Sequence, residues 1–252
     1  MIKTYKRGFK IYKSNILKII EHPSVLLIRG WEMKMAKYDI LTALEIHKGI
    51  KFKTFVDVGS ASGEYTSVFN KIFPDSKVYA FEPVPEYHKK PKGYNPIEIA
   101  LWNKDGYTEF MVNNDPRGSR ILKVKPYGSK LEANKNNIFK IKNVKTARFD
   151  NLDLEIKQPA LLKIDVEGAE KEVLEGFGDR LREFDVIILE YNMIKNLMST
   201  KILSYLDKMG YHSFIQKDLR AGYDQCNMFF IKDGGDSWGI WKLRGETPDS
   251  KY

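Results

Sequence analysis

Phe55-Val56-Asp57-Val58-Gly59-Ser60-Ala61-Ser62-Gly63 is the stretch on which the reading of this chain turns. A short β-branched and aromatic run ends in Asp-x-Gly-x-x-x-Gly, and Glu64-Tyr65-Thr66-Ser67-Val68-Phe69 follows. The run reads as a buried parallel strand, the glycines as a tight turn, and the remainder as the start of a helix. Glycine tolerates positive φ and carries no Cβ, so such a turn lets a ligand lie against bare backbone. Further on, Lys77-Val78-Tyr79-Ala80-Phe81 reads as a second strand, closed by Glu82. An acid about 20 residues beyond a glycine turn is placed to accept hydrogen bonds from ribose hydroxyls. Strand, turn, helix, strand and acid together describe a nucleoside site on an α/β sheet.

The glycine spacing narrows the nucleoside. A dinucleotide site shows G-x-G-x-x-G, with a helix N-terminus facing a pyrophosphate. Here Ala61 stands where the second glycine of that fingerprint belongs, and Asp57 sits at the strand end before the first. A carboxylate there suits a ligand with a cationic ammonium and no phosphate. S-adenosylmethionine has that ammonium, and a ribose for Glu82.

Composition sets the frame. The 252 residues are enough for one large α/β domain with a substantial core. A hydrophobic share of 42% with 13% aromatics is that of a globular chain. Lys and Arg exceed Asp and Glu by 42 to 33, a net charge of +9, which favours anionic partners. The lysines are spread along the whole chain, so the charge alone does not argue for nucleic acid. The single cysteine, Cys226, excludes an intrachain disulfide and a cysteine metal cluster, and its surroundings suggest a strand or core position. The basic start is interrupted by Lys10, Lys13 and Lys18, so no signal-peptide core forms. No stretch reaches the roughly 18 apolar residues of a membrane span. A cytoplasmic protein is expected.

The organisation expected is a helical segment over 1–50, a main domain over 51–232 and a tail or flap over 233–252. In the first segment Phe9, Tyr12, Ile16 and Ile19 recur at helical spacing, ready to pack on the main domain or on a partner subunit. Glu32 to His47 reads as a second helix. From residue 54, apolar runs alternate with helical segments, the sign of a mostly parallel sheet. Strands are expected at 54–58, 77–82, 97–101, 160–165, 184–190, 211–216 and 226–232, with helices notably at 168–176 and 198–209. The region 106–149 departs from this rhythm. Its ends, 107–112 and 144–149, alternate like antiparallel strands, around a long polar stretch containing Arg117 and Arg120.

A second motif is Leu161-Leu162-Lys163-Ile164-Asp165-Val166-Glu167-Gly168-Ala169-Glu170. In open α/β sheets, ligands bind beyond the carboxyl ends of the strands. Asp57, Glu82, Asp165 and Glu190 all fall at such ends, too many acids on one rim for solubility alone. Glu170 reads as helix surface or as a complement to the helix dipole.

These motifs resemble the FkbM-type methyltransferases. Ile164-Asp165-Val166-Glu167-Gly168-Ala169-Glu170 followed by Val173-Leu174 looks like that family's hallmark, as does Thr146-x-x-x-Asp150-x-Leu152 before it. Val56 to Gly63 is similar to its cofactor turn, and Phe81-Glu82-Pro83 to its ribose strand. Ala100-Leu101, Asp105-Gly106 and Phe110 resemble its third strand and hairpin. The resemblance runs from about residue 54 to 232. It implies a class I, Rossmann-like methyltransferase fold: a seven-stranded, mostly parallel sheet with the last strand antiparallel, helices on both faces and an inserted hairpin near 106–149. It also implies O-methylation with S-adenosylmethionine, often of sugars in bacterial surface glycans. One departure is Asn192, where many members carry histidine two residues after the acid of the fifth strand.

The expected roles follow. Asp57, Gly59, Ser60, Gly63, Glu82, Pro83, Ala100, Leu101 and Asp165 hold the cofactor. Asp165, or else Glu190, takes the acceptor's proton. Glu167, Asn192, Arg117 and Arg120 face the acceptor, with Lys89, Lys90 and Lys92 adding positive charge near a phosphate. His212 reads as structural. Asp165 and Glu190 could share a divalent cation, but no spacing demands it, and no metal is expected. The acceptor expected is a small molecule, a sugar or nucleotide-linked sugar bound for a polysaccharide such as a capsule. A phosphorylated small molecule or RNA is the alternative. Nucleic acid is otherwise not expected as a partner, and a homodimer is open.

Overall fold

The structure is a computed structural model describing residues 31–47, 51–84, 86, 94–113, 119–122, 140–192, 197–216 and 225–232. The expectations for residues 1–30 and 233–252, and those for Lys89, Lys90, Lys92 and Arg117, lie outside the described residues. Numbered along the chain, the strands are β1 (Thr54–Val58), β2 (Lys77–Phe81), β3 (Ala100–Leu101), β4 (Gly106–Val112), β5 (Arg120–Ile121), β6 (Lys140–Ala147), β7 (Ala160–Ile164), β8 (Val186–Asn192), β9 (Tyr211–Gln216) and β10 (Gln225–Lys232). The helices are α1 (Trp31–Ile46), α2 (Glu64–Ile72), α3 (Glu170–Phe177) and α4 (Leu197–Lys208). No described helix is long and apolar enough to cross a membrane.

The main sheet has the order β2-β1-β7-β8-β10-β9. Its pairings from β2 to β8 are parallel, and β10 runs against both neighbours. This is the class I methyltransferase arrangement, with the last strand reversed. Six strands form the sheet where seven were expected: the third expected strand contributes only Ile97, in an isolated parallel bridge to Phe81 beyond β2. The Ile99 amide then bonds back to the Ile97 carbonyl at 2.8 Å and bends the chain away. Ala100 and Leu101 pair instead with Thr146 and Ala147 of β6. The expected strand 97–101 is thus divided between two sheets.

Burial on both faces explains the unbroken apolar runs of the central strands. Phe55, Leu161, Ile188 and Phe229 point toward α1 and α2. Val56, Leu162, Ile187, Leu189 and Phe230 point toward α3 and α4. Each such side chain contributes about 1.5–3 kcal/mol of burial. On the second face Phe149 stacks on Phe177 with ring centroids 4.1 Å apart, and the Arg180 guanidinium lies 4.8 Å from the Phe149 ring centre.

The second sheet, of order β3-β6-β4-β5, contains the expected hairpin. β4 and β6 pair antiparallel from Gly106 opposite Thr146 to Val112 opposite Lys140. The second arm therefore starts four residues earlier than the alternation suggested, at Lys140, and stops at Ala147. Phe149–Asn151 form a 3-10 turn. The Thr-x-x-x-Asp motif closes this junction. Arg148 Nε donates to Asp150 Oδ1 at 2.8 Å, and the same guanidinium reaches the carbonyls of Asn103 and Glu175, each at 3.1 Å. One planar fork thus pins the exit of β6 to the turn before β4 and to the end of α3.

The packing there is close enough to reverse a general rule. Gly176 lies inside α3, where alanine is usually better by about 0.5–1 kcal/mol. A Cβ at this position would meet the Trp102 carbonyl oxygen at 2.1 Å. We expect Gly176→Ala to destabilise the fold by about 1–3 kcal/mol, the usual range for overpacking. Thermal unfolding measures this, and a rise in Tm would show that the α3 contact with Trp102 is looser than described.

Candidate active site at the carboxyl rim of the sheet

The glycine turn is shaped by the protein's own contacts. Gly59 has φ +76°, and a Cβ there would stand 2.0 Å from the carbonyl oxygen of Asp165. The amides of Gly59 and Ser60 both donate to the Phe81 carbonyl, at 3.0 and 3.1 Å. Gly63, φ +81°, precedes α2 and lies under the Tyr94 ring, which a Cβ would approach to 2.7 Å. The Tyr94 hydroxyl shares a hydrogen bond with Ser60 Oγ at 2.8 Å and donates to the Ala61 carbonyl at 3.0 Å. Tyr94 was not among the expected site residues, and no spacing in the sequence marks it.

Glu82 stands just past β2, buried, with both carboxylate oxygens fixed by backbone amides. Val84 N donates to Oε1 at 2.9 Å and Ala61 N to Oε2 at 3.1 Å. Burial pushes its pKa up to about 7, against the pull of those two amides. A carboxylate oxygen accepts more than one hydrogen bond, so both keep capacity for hydroxyl donors.

The polar row of the rim follows from strand alternation. Two residues beyond Phe55, Leu161 and Ile188, on the α1/α2 face, come Asp57, Lys163 and Glu190. Asn227 precedes Phe229 on the same face of the reversed strand and pairs with Glu190. Asp57 is buried, and its carboxylate accepts from Thr66 of α2 at 2.8 Å. Burial raises its pKa to about 6. Lys163 Nζ donates to Asp165 Oδ2 at 2.9 Å. Glu190 is hydrogen-bonded to Asp165, whose charge, with burial, raises the Glu190 pKa well above the ordinary range. Tyr65 donates to Asp39 of α1, and Asn227 Nδ2 donates to the same carboxylate at 2.7 Å.

The other expected site residues fall as follows. Glu167 sits in the loop after β7 with φ +55°. Asp165, Glu167 and Glu190 each offer one oxygen within 4.8 Å of the others, a donor set that hard cations accept. The Lys163 ammonium already stands against one side of it. Pro83 follows Glu82 on the loop, and Ala100 and Leu101 are buried in β3. Asn192 is the last residue of β8. Arg120 lies in β5 opposite Met111, in the second sheet. His212 pairs with Ile231 near the start of β9, at the end of the sheet away from the rim. Glu170 is a correction: it is buried and not helix surface, because its carboxylate turns back to accept from Gly168 N at 2.9 Å. Burial raises its pKa to about 7.

A reversed last strand, a glycine turn after β1 and an acid after β2 define a class I S-adenosylmethionine-dependent methyltransferase. Residues 57–213 match the methyltransferase FkbM domain, and the chain belongs to that family. Its cofactor is S-adenosylmethionine, and the acid-rich rim fits that cation. Among solved structures, the chain is similar to a methyltransferase FkbM of Methylobacillus flagellatus KT, at 12% identity and TM-score 0.44, over 86% of this chain and 60% of that one. It is similar at 12% identity and TM-score 0.42 to a precorrin-6y C5,15-methyltransferase of Geobacter metallireducens GS-15, over 76% and 85%. Human N-acetylserotonin methyltransferase, crystallised with SAM, is similar at 11% identity and TM-score 0.39, over 90% and 60%. No curated protein sequence matches the chain.

The buried carboxyls carry a pH signature. Asp57, Glu82 and Glu170 all have folded pKa values raised by burial, to about 6, 7 and 7. At these three groups the folded state therefore binds more protons than the unfolded chain between roughly pH 4 and 7. Their contribution is fully present below the unfolded values and is lost as pH rises through the folded ones. Without cofactor, Tm is expected to be higher near about pH 5 than near about pH 7.5. A scan in matched ionic strength tests the sign, and a flat or rising Tm would mean these carboxyls are solvated.

Proposed function

We propose that this enzyme methylates a hydroxyl oxygen of a small acceptor, a sugar or nucleotide-linked sugar of a bacterial surface polysaccharide such as a capsule. The observation that carries the oxygen chemistry is the Asp165–Glu190 carboxyl pair at the rim, directly beside the Gly59 turn. The cofactor supplies a methyl already activated on a sulfonium. The protein then needs to hold an oxygen in line, exclude water and receive one proton. Asp165, with a side chain 34% exposed, can reach a hydroxyl while its other side is held by Lys163. Glu82 would hold the ribose hydroxyls, and Gly59, Ser60 and Gly63 would form the wall of the cofactor site. Pro83, Ala100 and Leu101 would line the adenosine side, and Asp57, which also fixes Thr66 of α2, would stand with Asp165 on the cofactor's side. Glu167 and Asn192 would face the acceptor. The net charge of +9, with Arg117 and Arg120, favours an acceptor that carries phosphate.

A labelled methyl-transfer screen over nucleotide-sugars, their free sugars, phosphorylated small molecules and RNA tests this reading. A methyl ether on a sugar hydroxyl is the expected product. Methylation of RNA, or of a nitrogen, would overturn it. Preference for the nucleotide-sugar should fade when Arg117 and Arg120 become alanine.

Two substitutions test the assigned roles. Glu82→Ala should weaken S-adenosylmethionine binding about ten- to hundredfold, since hydrogen bonds to a charged group are worth about 1.5–3 kcal/mol. Unchanged calorimetric affinity in a folded variant would remove Glu82 from the ribose. Asp165→Asn should keep most cofactor affinity while turnover falls by about 10²–10⁴, the range of a positioned general base. Near-normal turnover would move that role to Glu190 or to proximity alone.

A further inference from the structure

The Lys163 side chain is only 1% exposed, at the penultimate position of β7. Core packing does not ask for a lysine there. The face it belongs to is apolar at Phe55, Leu161, Ile188 and Phe229, and an ammonium is costly to take out of water unless it is paired. The pairing is specific. Nζ donates to Asp165 Oδ2 at 2.9 Å and stands 4.9 Å from the centre of the Tyr65 ring. Tyr65 is in turn tied to Asp39, which also accepts from Asn227. The ammonium is therefore backed by α1, α2 and β10, and its hydrogen bond is directed at the rim.

The groups facing the pair from the elements around it are Lys163 of β7, Asp57 of β1, Asp39 of α1, Tyr65 of α2, Asn227 of β10, Glu167 of the following loop and Glu170 of α3. Lys163 is the cation among these described groups. Burial alone would strip its proton, but Asp165, Glu190 and Asp39 more than offset that and hold its pKa above the ordinary lysine value.

We infer that Lys163 is a positioning residue for methyl transfer: its ammonium holds Asp165 as the charged member of the Asp165–Glu190 pair, leaves the shared proton on Glu190, and so presents an ionised carboxylate to the acceptor hydroxyl. This rests on the reading of Asp165 as proton acceptor. Two carboxyls in hydrogen-bond contact do not both ionise readily, and a cation beside one decides which does. When the acceptor oxygen gains the methyl it loses one proton. That proton passes to Asp165, and no further reactant is needed.

The test uses the full-length protein labelled with ¹³C at the Asp and Glu carboxyls and with ¹⁵N at lysine Nζ, without acceptor. Asp165→Asn identifies the pair's signals. In the wild type, the Lys163 ¹⁵N shift should follow the first titration step of the pair. In Lys163→Met that step should move to higher pH by about 1–3 units, the effect of an adjacent opposite charge, and Lys163→Arg should restore it. S-adenosylhomocysteine affinity should stay within about threefold, because Lys163 is assigned to the carboxyl pair and not to the glycine turn.

An unmoved carboxyl titration in folded Lys163→Met would overturn the inference. So would a loss of S-adenosylhomocysteine binding without a titration change. If Lys163→Met does not fold, the wild-type signals still decide, since a Lys163 shift indifferent to the pair's titration refutes the coupling. Failure of Asp165→Asn to slow turnover would instead sink the base assignment and leave these titrations standing.

Discussion

The approach of two strand ends, β1 at Gly59 and β7 at Asp165, sets the geometry of everything above the sheet. The Asp165 amide donates to the Val58 carbonyl at 3.0 Å, while its own carbonyl oxygen occupies the space a Gly59 side chain would need. That approach leaves no freedom in the turn, which must bend with positive φ toward β2. The Ala61 amide then reaches Glu82, and Asp165 is carried to the centre of the rim beside Glu190. The cofactor-side acid and the acceptor-side acids are thus placed by one backbone contact between parallel strands.

Much of this was legible in the sequence, for a physical reason. β1, β7 and β8 are buried on both faces, so their apolar runs stand out and their acids mark where burial stops. Two parts were not legible. The second sheet draws its strands from short segments, and Arg120–Ile121 is too brief to leave a period. The strand expected at 97–101 was hydrophobic in the right place, but a local bend at Ile99, invisible to periodicity, divides it.

The candidate site was legible in part. Acids at strand ends were plain, because a carboxylate at the end of an apolar run needs an explanation. Lys163 carries no such mark, since a lysine within Leu161-Leu162-Lys163-Ile164 looks like the solvated side of an alternating strand. Only the helices above it show that this side is closed. The glycines carried a different ambiguity. Ligand approach and chain packing ask for the same missing Cβ, and here Tyr94 and the Asp165 carbonyl account for both positions. Tyr94 itself depends on a long-range contact that no local pattern encodes.

The rim network reaches beyond the recognisable family segment at both ends. Asp39 lies before residue 57 and Asn227 after residue 213, yet both close the shell behind Tyr65 and Lys163. The segment that matches the family is therefore smaller than the polar network that closes its rim. Two polar side chains in the flanks thus help set the electrostatic surroundings of a buried ammonium inside the matched segment. A change at Asp39 or Asn227 would therefore alter the electrostatic setting of the carboxyls while leaving the matched segment untouched.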